Sequence, residues 1–220
     1  MKKILSSAVV LFLSIFLVLS PINTAVAAET GPFYVGVLGG YTFGSDAELE
    51  MSPYKFDLDI QETWAVGAKV GYTPPAIKFF AVEFEYLYLN PDVDRTVLAS
   101  LGSDFVAVEG DLKLHNFMLN LLAKYPEGNI HPYLGVGIGF SRVDLSGTGT
   151  MRIGGVTETE SLDDDDTSFA WQILAGINFE ISKNWSADIT YRYFMTEPEF
   201  DGADLEIKTS MVTIGLNYHF

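Results

Sequence analysis

The chain has 220 residues, a formal charge of -16 and no cysteine. An acidic balance of that size excludes nucleic acid as a partner, because like charges repel. The missing cysteine excludes disulfides and thiol chemistry, so stability has to come from another source.

The first residues, Met1-Lys2-Lys3, precede a run from Ile4 to Leu19 made only of apolar residues and serine. Pro21 and the small-residue stretch Ala25-Val26-Ala27-Ala28 follow. Basic start, short apolar run and small-residue close are the grammar of a secretory signal peptide. The run is also shorter than the ~20 residues that a spanning helix needs. Residues 1–27 are therefore read as a cleaved signal peptide with Ala25 and Ala27 at the cleavage site, leaving 28–220 as one domain. Loss of Lys2 and Lys3 takes the charge to about -18, which strengthens the exclusion of polyanions.

After residue 30 no sustained 3.6-residue period appears, whereas alternation with period two recurs, as in strands with two different faces. Residues 33–43 set Phe33, Val35, Val37 and Tyr41 against Gly36 and Gly40. The next strand sets Trp64, Val66, Ala68, Val70 and Tyr72 against Ala65, Gly67, Lys69 and Gly71. A third sets Phe80, Val82, Phe84, Tyr86 and Tyr88 against Ala81, Glu83, Glu85, Leu87 and Leu89. Residues 109–125 run through Phe117, Leu119, Leu121 and Tyr125, but the apolar parity changes between Leu114 and Phe117, which predicts a bulge there or a strand end that has left the membrane. Then Leu134, Val136, Ile138 and Phe140 oppose Tyr133, Gly135, Gly137 and Gly139. Phe169, Trp171, Ile173, Ala175, Ile177 and Phe179 oppose Gln172, Leu174, Gly176, Asn178 and Glu180. Trp185, Ala187, Ile189, Tyr191 and Tyr193 oppose Asp188, Thr190 and Arg192. The last strand sets Val212, Ile214, Leu216, Tyr218 and Phe220 against Thr213, Gly215, Asn217 and His219.

Connections between these eight segments alternate in length. Short ones fall at 73–78, 126–130 and 182–184, and long polar ones near 44–61, 91–108, 144–167 and 197–206. Short turns on one side and long loops on the other are the asymmetry of an outer-membrane barrel, which places both termini in the periplasm and the long loops outside. The fold class is thus all-β, an eight-stranded antiparallel up-and-down transmembrane β-barrel. The two faces agree, since only side chains fit inside eight strands and the glycine-rich polar face suits that crowding. The bulky aromatic face, with Trp64, Tyr72, Tyr88, Trp171, Trp185, Tyr218 and Phe220 near strand ends, suits lipid. In hydrocarbon only a helix or a closed barrel leaves no orphan amide, and the mature chain holds no apolar run long enough for a spanning helix.

At its end the chain reads Thr213-x-Gly215-x-x-Tyr218-x-Phe220, and earlier it carries His131-Pro132-Tyr133-Leu134-Gly135-Val136-Gly137-Ile138-Gly139. On these residues the whole mature chain resembles the OmpA-like, opacity-type family of small outer-membrane barrels. The resemblance implies that Thr213, Gly215, Tyr218 and Phe220 form the C-terminal signal read by the barrel-assembly machinery. Its other implied partners are outer-membrane lipid and lipopolysaccharide. No peptidoglycan-binding domain follows the barrel, so a wall-anchoring role is not implied.

Alternation sends seven charges inward: Lys69, Lys124 and Arg192 against Glu83, Glu85, Glu180 and Asp188. An unpaired buried ion costs several kcal/mol, so these charges should pair and fill the lumen; the competing reading is the lining of a narrow ion path. His115, His131 and His219 have no Ser or Asp at a spacing that commits them to a triad. Asp163 to Asp166, with Glu158 and Glu160 nearby, offer hard oxygen donors but lack an EF-hand spacing and read as a solvated mobile loop. The glycines of 135–139 lie inside a strand with no helix after them and form no nucleotide loop. The expectation is a monomeric surface barrel, not an enzyme and without cofactor or metal, with a structural, adhesive or weakly porin-like role. The alternatives are a lipid-modifying or proteolytic barrel enzyme and a transporter of small apolar ligands, the latter kept open by Leu87, Leu89 and Leu174.

Overall fold

The computed structural model describes residues 31–51, 54–59, 61–102, 104–200 and 203–220; Ala25 and Ala27, with the rest of 1–27, lie outside them. One sheet holds β1 (Phe33–Met51), β2 (Tyr54–Asp59), β3 (Trp64–Tyr72), β4 (Phe80–Leu89), β5 (Asp92–Leu101), β6 (Asp104–Lys124), β7 (Ile130–Ile153), β8 (Val156–Glu180), β9 (Trp185–Thr196), β10 (Glu199–Phe200) and β11 (Ala203–His219). β1, β3, β4, β6, β7, β8, β9 and β11 build the wall, each antiparallel to the next, and β11 pairs back onto β1 from Tyr34↔His219 to Tyr41↔Val212. That last pairing closes the sheet into an eight-stranded barrel and satisfies the backbone groups that an open edge would strand.

Residues 73–79, 125–129 and 181–184 turn the chain tightly at one end, where Gly31 and Phe220 also lie. At the opposite end strands run on where long polar loops are predicted, and β2, β5 and β10 are added there. β7 and β8 pair without a break from Ile130↔Phe179 to Ile153↔Val156. Their tip is Gly154-Gly155, both at positive φ (61° and 83°), as a two-residue hairpin turn requires. Asp163 to Asp166 therefore sit in a paired strand and not in a loop. Ladder hydrogen bonds do not depend on an apolar face, so pairing can outlast the alternation from which strands are read.

The bulge offered as one reading of the parity change in β6 is also absent. β6 runs in unbroken register against both neighbours, from Leu89↔Leu114 to Phe80↔Ala123 on one side and from Phe105↔Arg152 to Lys124↔Tyr133 on the other. There is no bulge at Leu114–Phe117. Leu112, Leu114, Asn116, Met118, Asn120 and Leu122 all point inward, while Phe117, Leu119 and Leu121 point outward. The apolar parity changes because the interior itself changes, from apolar at the hairpin end to polar nearer the short turns. A bulge does occur in β1, between Phe43 and Asp46, beside Gly44 at φ 60°.

The outer face is an apolar belt carrying Val37, Val66, Phe84, Leu119, Val136, Ile138, Ile173, Ile189 and Ile214. Aromatic pairs flank it. Tyr41–Trp64 (5.1 Å), Tyr86–Phe117 (5.1 Å) and Trp171–Tyr193 (5.9 Å) lie toward the hairpin end. Phe33–Tyr72 (4.6 Å), Trp185–Tyr218 (5.2 Å) and Phe33–Phe220 (6.1 Å) lie toward the short turns.

Candidate functional site

The lumen is filled in two zones. Toward the hairpins Leu38, Leu87, Leu89, Leu112, Leu114, Met118, Val143, Phe194, Leu205, Ile207 and Met211 pack into one buried apolar cluster. Below it most inward positions are polar, beside a smaller apolar cluster of Ala81, Leu122, Tyr133 and Leu174, and five of the seven predicted charges meet there.

Lys69 lies 2.9 Å from Asp188 and 3.4 Å from Glu83, and Arg192 pairs with Glu85. All five are buried, with Glu85 at 0% and Arg192 at 1% exposure, which leaves water little part in neutralising them. Register explains the meeting: Lys69 and Glu85 are direct cross-strand partners on β3 and β4, Glu83 is one inward step along, and Asp188 and Arg192 are two inward steps apart on β9. Lys124 and Glu180 stand apart, at the short-turn mouth. Lys124 donates to Thr73 Oγ1 at 3.0 Å, and Glu180 lies 3.1 Å from His131.

Neutral groups that the charge-based reading leaves out complete the network. Tyr34 donates to Glu83 (3.0 Å), Asn217 to Asp188 (2.7 Å), Asn120 to Glu83 (3.3 Å) and Gln172 to Asn120 (2.7 Å). Tyr133 is hydrogen-bonded to Thr190. The sequence signal for them is inward parity, the same one that marks the charges. Glycines make the room: a Cβ at Gly71 would strike the Tyr34 ring, and one at Gly176 the Tyr133 ring. A small space of about 40 Å³ lies between the short-turn mouth and this network, lined by Tyr34, Lys69, Glu83, Lys124, Asp188 and His219 among others.

Two of the four residues of the C-terminal pattern face into this site. Thr213 Oγ1 accepts from Arg192 Nε (3.1 Å), and Gly215 lies under the Asp188 carboxylate. Tyr218 and Phe220 face outward, where Phe220 also closes the ring of strands by donating its amide to Phe33 O (3.0 Å).

A family model described as outer membrane protein beta-barrel domain matches residues 12–220. The chain belongs to that family. This barrel is accordingly a protein of the bacterial outer membrane, and its apolar belt is the surface that faces lipid. Among solved structures, the outer membrane protein OprG from Pseudomonas aeruginosa is 12% identical, with 88% of this chain and 98% of that one covered at a TM-score of 0.51. Neisserial surface protein A is 16% identical, covering 86% and 97%, TM-score 0.48. The outer membrane protease OmpT from Escherichia coli is 7% identical, covering 91% and 100%, TM-score 0.44. At such identities the likeness is one of fold. No curated protein matches the sequence.

Outside this outer-membrane barrel's lumen, one polar cluster stands on the outer wall beyond the aromatic band. His115 Nδ1 meets the Tyr86 hydroxyl at 2.9 Å, and its Nε2 lies 3.8 Å from Asp144. Asp144 accepts from Arg142 on β7 at 3.0 Å, and Asp165 lies 3.1 Å from the same guanidinium. Hydrogen bonding to Asp144 and the charge of Asp165 hold Arg142 more firmly protonated than usual. The histidine thus acquires partners that spacing along the chain does not reveal. Among the described residues no group of three or more His, Cys, Asp or Glu is arranged to hold a metal ion.

Proposed function

We propose that this protein is a structural and adhesive surface barrel whose lumen is closed to solutes, with the hairpins of β1–β2, β5–β6 and β7–β8 on the cell exterior and both termini in the periplasm. The carrying observation is the stacking of the two lumen zones. A solute coming from the short-turn side meets the Lys69–Glu83–Asp188 and Arg192–Glu85 pairs and then the apolar cluster of Leu87, Leu112, Met118, Phe194 and Met211. Moving an ion past the first requires breaking buried pairs, and past the second requires giving up its hydration, so neither zone alone would have to be the gate.

Recognition then falls to the hairpins. The β7–β8 hairpin carries Glu158, Glu160 and Asp163 to Asp166, acidic on both of its faces, and repels anionic lipopolysaccharide unless divalent ions bridge the two. That hairpin would stand away from the lipid surface and be accessible to surface partners. The enzyme alternative has less support, because His115 carries a phenol rather than a nucleophilic hydroxyl as its hydrogen-bond partner.

Conductance of the refolded protein in planar bilayers tests the reading. Silent bilayers, with folding shown by heat-dependent gel mobility, are the expected result. Steady channels whose ion selectivity changes in Glu85→Gln and Arg192→Gln would overturn the closed lumen and establish an ion path.

A further inference from the structure

Hydrogen bonding along β8 alternates between its two neighbours. Glu180 donates its amide to Asn129 O on the β7 side (2.9 Å), and Ile181 donates to Trp185 O on the β9 side (2.8 Å). The register with β7 holds without a break up to the Gly154-Gly155 turn. Residues of even number therefore turn their N–H and C=O toward β7 throughout, and those of odd number turn theirs the other way. β9 takes up the odd set only as far as Ala170↔Thr196. Above that level β8 has no second ladder partner among the described residues. β10 touches it through the Glu199 amide on the Asp166 carboxylate (2.9 Å), and the Asp165 amide is taken by the side chain of Asp164 (2.9 Å). Thr157, Thr159, Ser161 and Asp163, all exposed, are left presenting their backbone groups along a straight edge.

A free edge is a template for another strand, and proteins blunt it with proline, lysine or a bulge. Val156 to Phe169 contains no proline and no basic residue, and its register with β7 shows no bulge. It offers instead the strand-forming Thr157, Thr159 and Thr167, interleaved with acids. The acids select the occupant. Two β8 edges paired antiparallel would set acid against acid, Glu158 opposite Asp164 in one register and Glu160 opposite Glu160 in the next, so a second copy is repelled. In an added strand the even positions form the non-hydrogen-bonded pairs, where opposing side chains stand closest. Glu158, Glu160 and Asp164 occupy such positions on one face, so the matching strand carries Lys or Arg at every second residue.

We propose that β8 takes up an extended basic segment of another polypeptide as an added antiparallel strand along Thr157 to Asp163, with Lys or Arg at alternate positions. Main-chain hydrogen bonds hold the segment and the carboxylates choose it. The proposal deepens the adhesive reading above and rests on it for the placement of this hairpin outside the cell.

The test titrates a dye-labelled peptide of about ten residues, alternating Lys and Thr, against the full protein refolded in zwitterionic vesicles, with fluorescence anisotropy as the readout. In the proposed register the Thr amides of the peptide make the ladder and its Lys side chains face the carboxylates. Methylating the Thr amides should therefore abolish binding, and methylating the Lys amides, which point away from β8, should leave it intact. Thr159→Pro should weaken binding roughly five- to tenfold and leave the barrel folded, since that amide gives β7 no hydrogen bond. Glu158→Gln/Glu160→Gln should weaken it several-fold. Failure of the Lys-Thr peptide to bind would overturn the proposal. So would equal binding of the two methylated peptides, because attraction would then be by charge alone. On intact cells Ser161→Cys gives the chain a single thiol, and its labelling by an impermeant maleimide is the result expected of an exterior hairpin. Peptide binding without such labelling would overturn the exterior placement and leave the added strand standing.

Discussion

Replacing Arg192 by methionine keeps most of the side chain's volume and removes the one cation that pairs with Glu85 among the described residues. Lys69 cannot substitute, because Glu83 and Asp188 already share it. Both Arg192 and Glu85 are at most 1% exposed, so the stranded carboxylate has no water to turn to, and breaking such a buried pair costs about 3–5 kcal/mol. The Thr213 hydroxyl also loses its donor, a further ~1 kcal/mol. The double variant Arg192→Met/Glu85→Gln removes both charges and should lose only roughly 1–2 kcal/mol, so that the second substitution restores about 3–4 kcal/mol. Urea unfolding in phospholipid vesicles, followed by the fluorescence of Trp64, Trp171 and Trp185 on the outer wall, reads this as a midpoint lowered by roughly 2 M in the single variant. Equal midpoints for the single and double variants would refute the argument, since the loss would then come from packing and not from an orphaned charge.

Three other outcomes follow from the same geometry. Gly71→Ala should destabilise by about 1–3 kcal/mol through collision with the Tyr34 ring, whereas Gly39→Ala, with only Ala65 O near at 3.9 Å, should stay within about 0.5 kcal/mol; the same unfolding curves measure both. Leu119→Arg, on the lipid face, should cost about 2–4 kcal/mol, and Met118→Arg one residue away should instead fail to fold for lack of room, which heat-dependent gel mobility distinguishes; interchangeable results would mean that the register of β6 is wrong. Phe220→Ala should lower the amount of folded barrel assembled in cells far more than it lowers the stability of refolded protein, as expected if Tyr218 and Phe220 are read during assembly; equal losses in both assays would reduce Phe220 to its packing on Phe33.

The wall was legible because lipid outside and crowding inside impose period two on every strand that crosses, from Phe33 to Phe220. The hairpin end was not, because strands that have left the membrane keep their ladders without keeping an apolar face: β8 continues through Asp163–Asp166 and β2, β5 and β10 were invisible as elements. In the lumen the charged members could be picked out by parity and sign, but parity could not tell that Lys124 and Glu180 stop at the mouth while Lys69, Glu83, Glu85, Asp188 and Arg192 converge. That depends on the stagger between strands, which a single strand's pattern does not contain.

β6 carries the most transferable part of this. Its apolar residues move from the inward to the outward face between Leu114 and Phe117, and a pattern reader who assumes one chemistry per face must place a bulge there. The register shows instead that faces are constant and the environment varies along them: outside, the exposed apolar residues of β6 begin at Phe117, while inside, the polar network gives way to Leu114, Leu112 and their neighbours. Leu87 and Leu89 on β4 repeat the transition beside Glu85 and Glu83, without any break in alternation to betray it. Two adjacent strands that turn apolar inward at the same height mark an apolar layer across the lumen. The parity change in β6 is therefore better read as the position of that layer than as a defect in the strand.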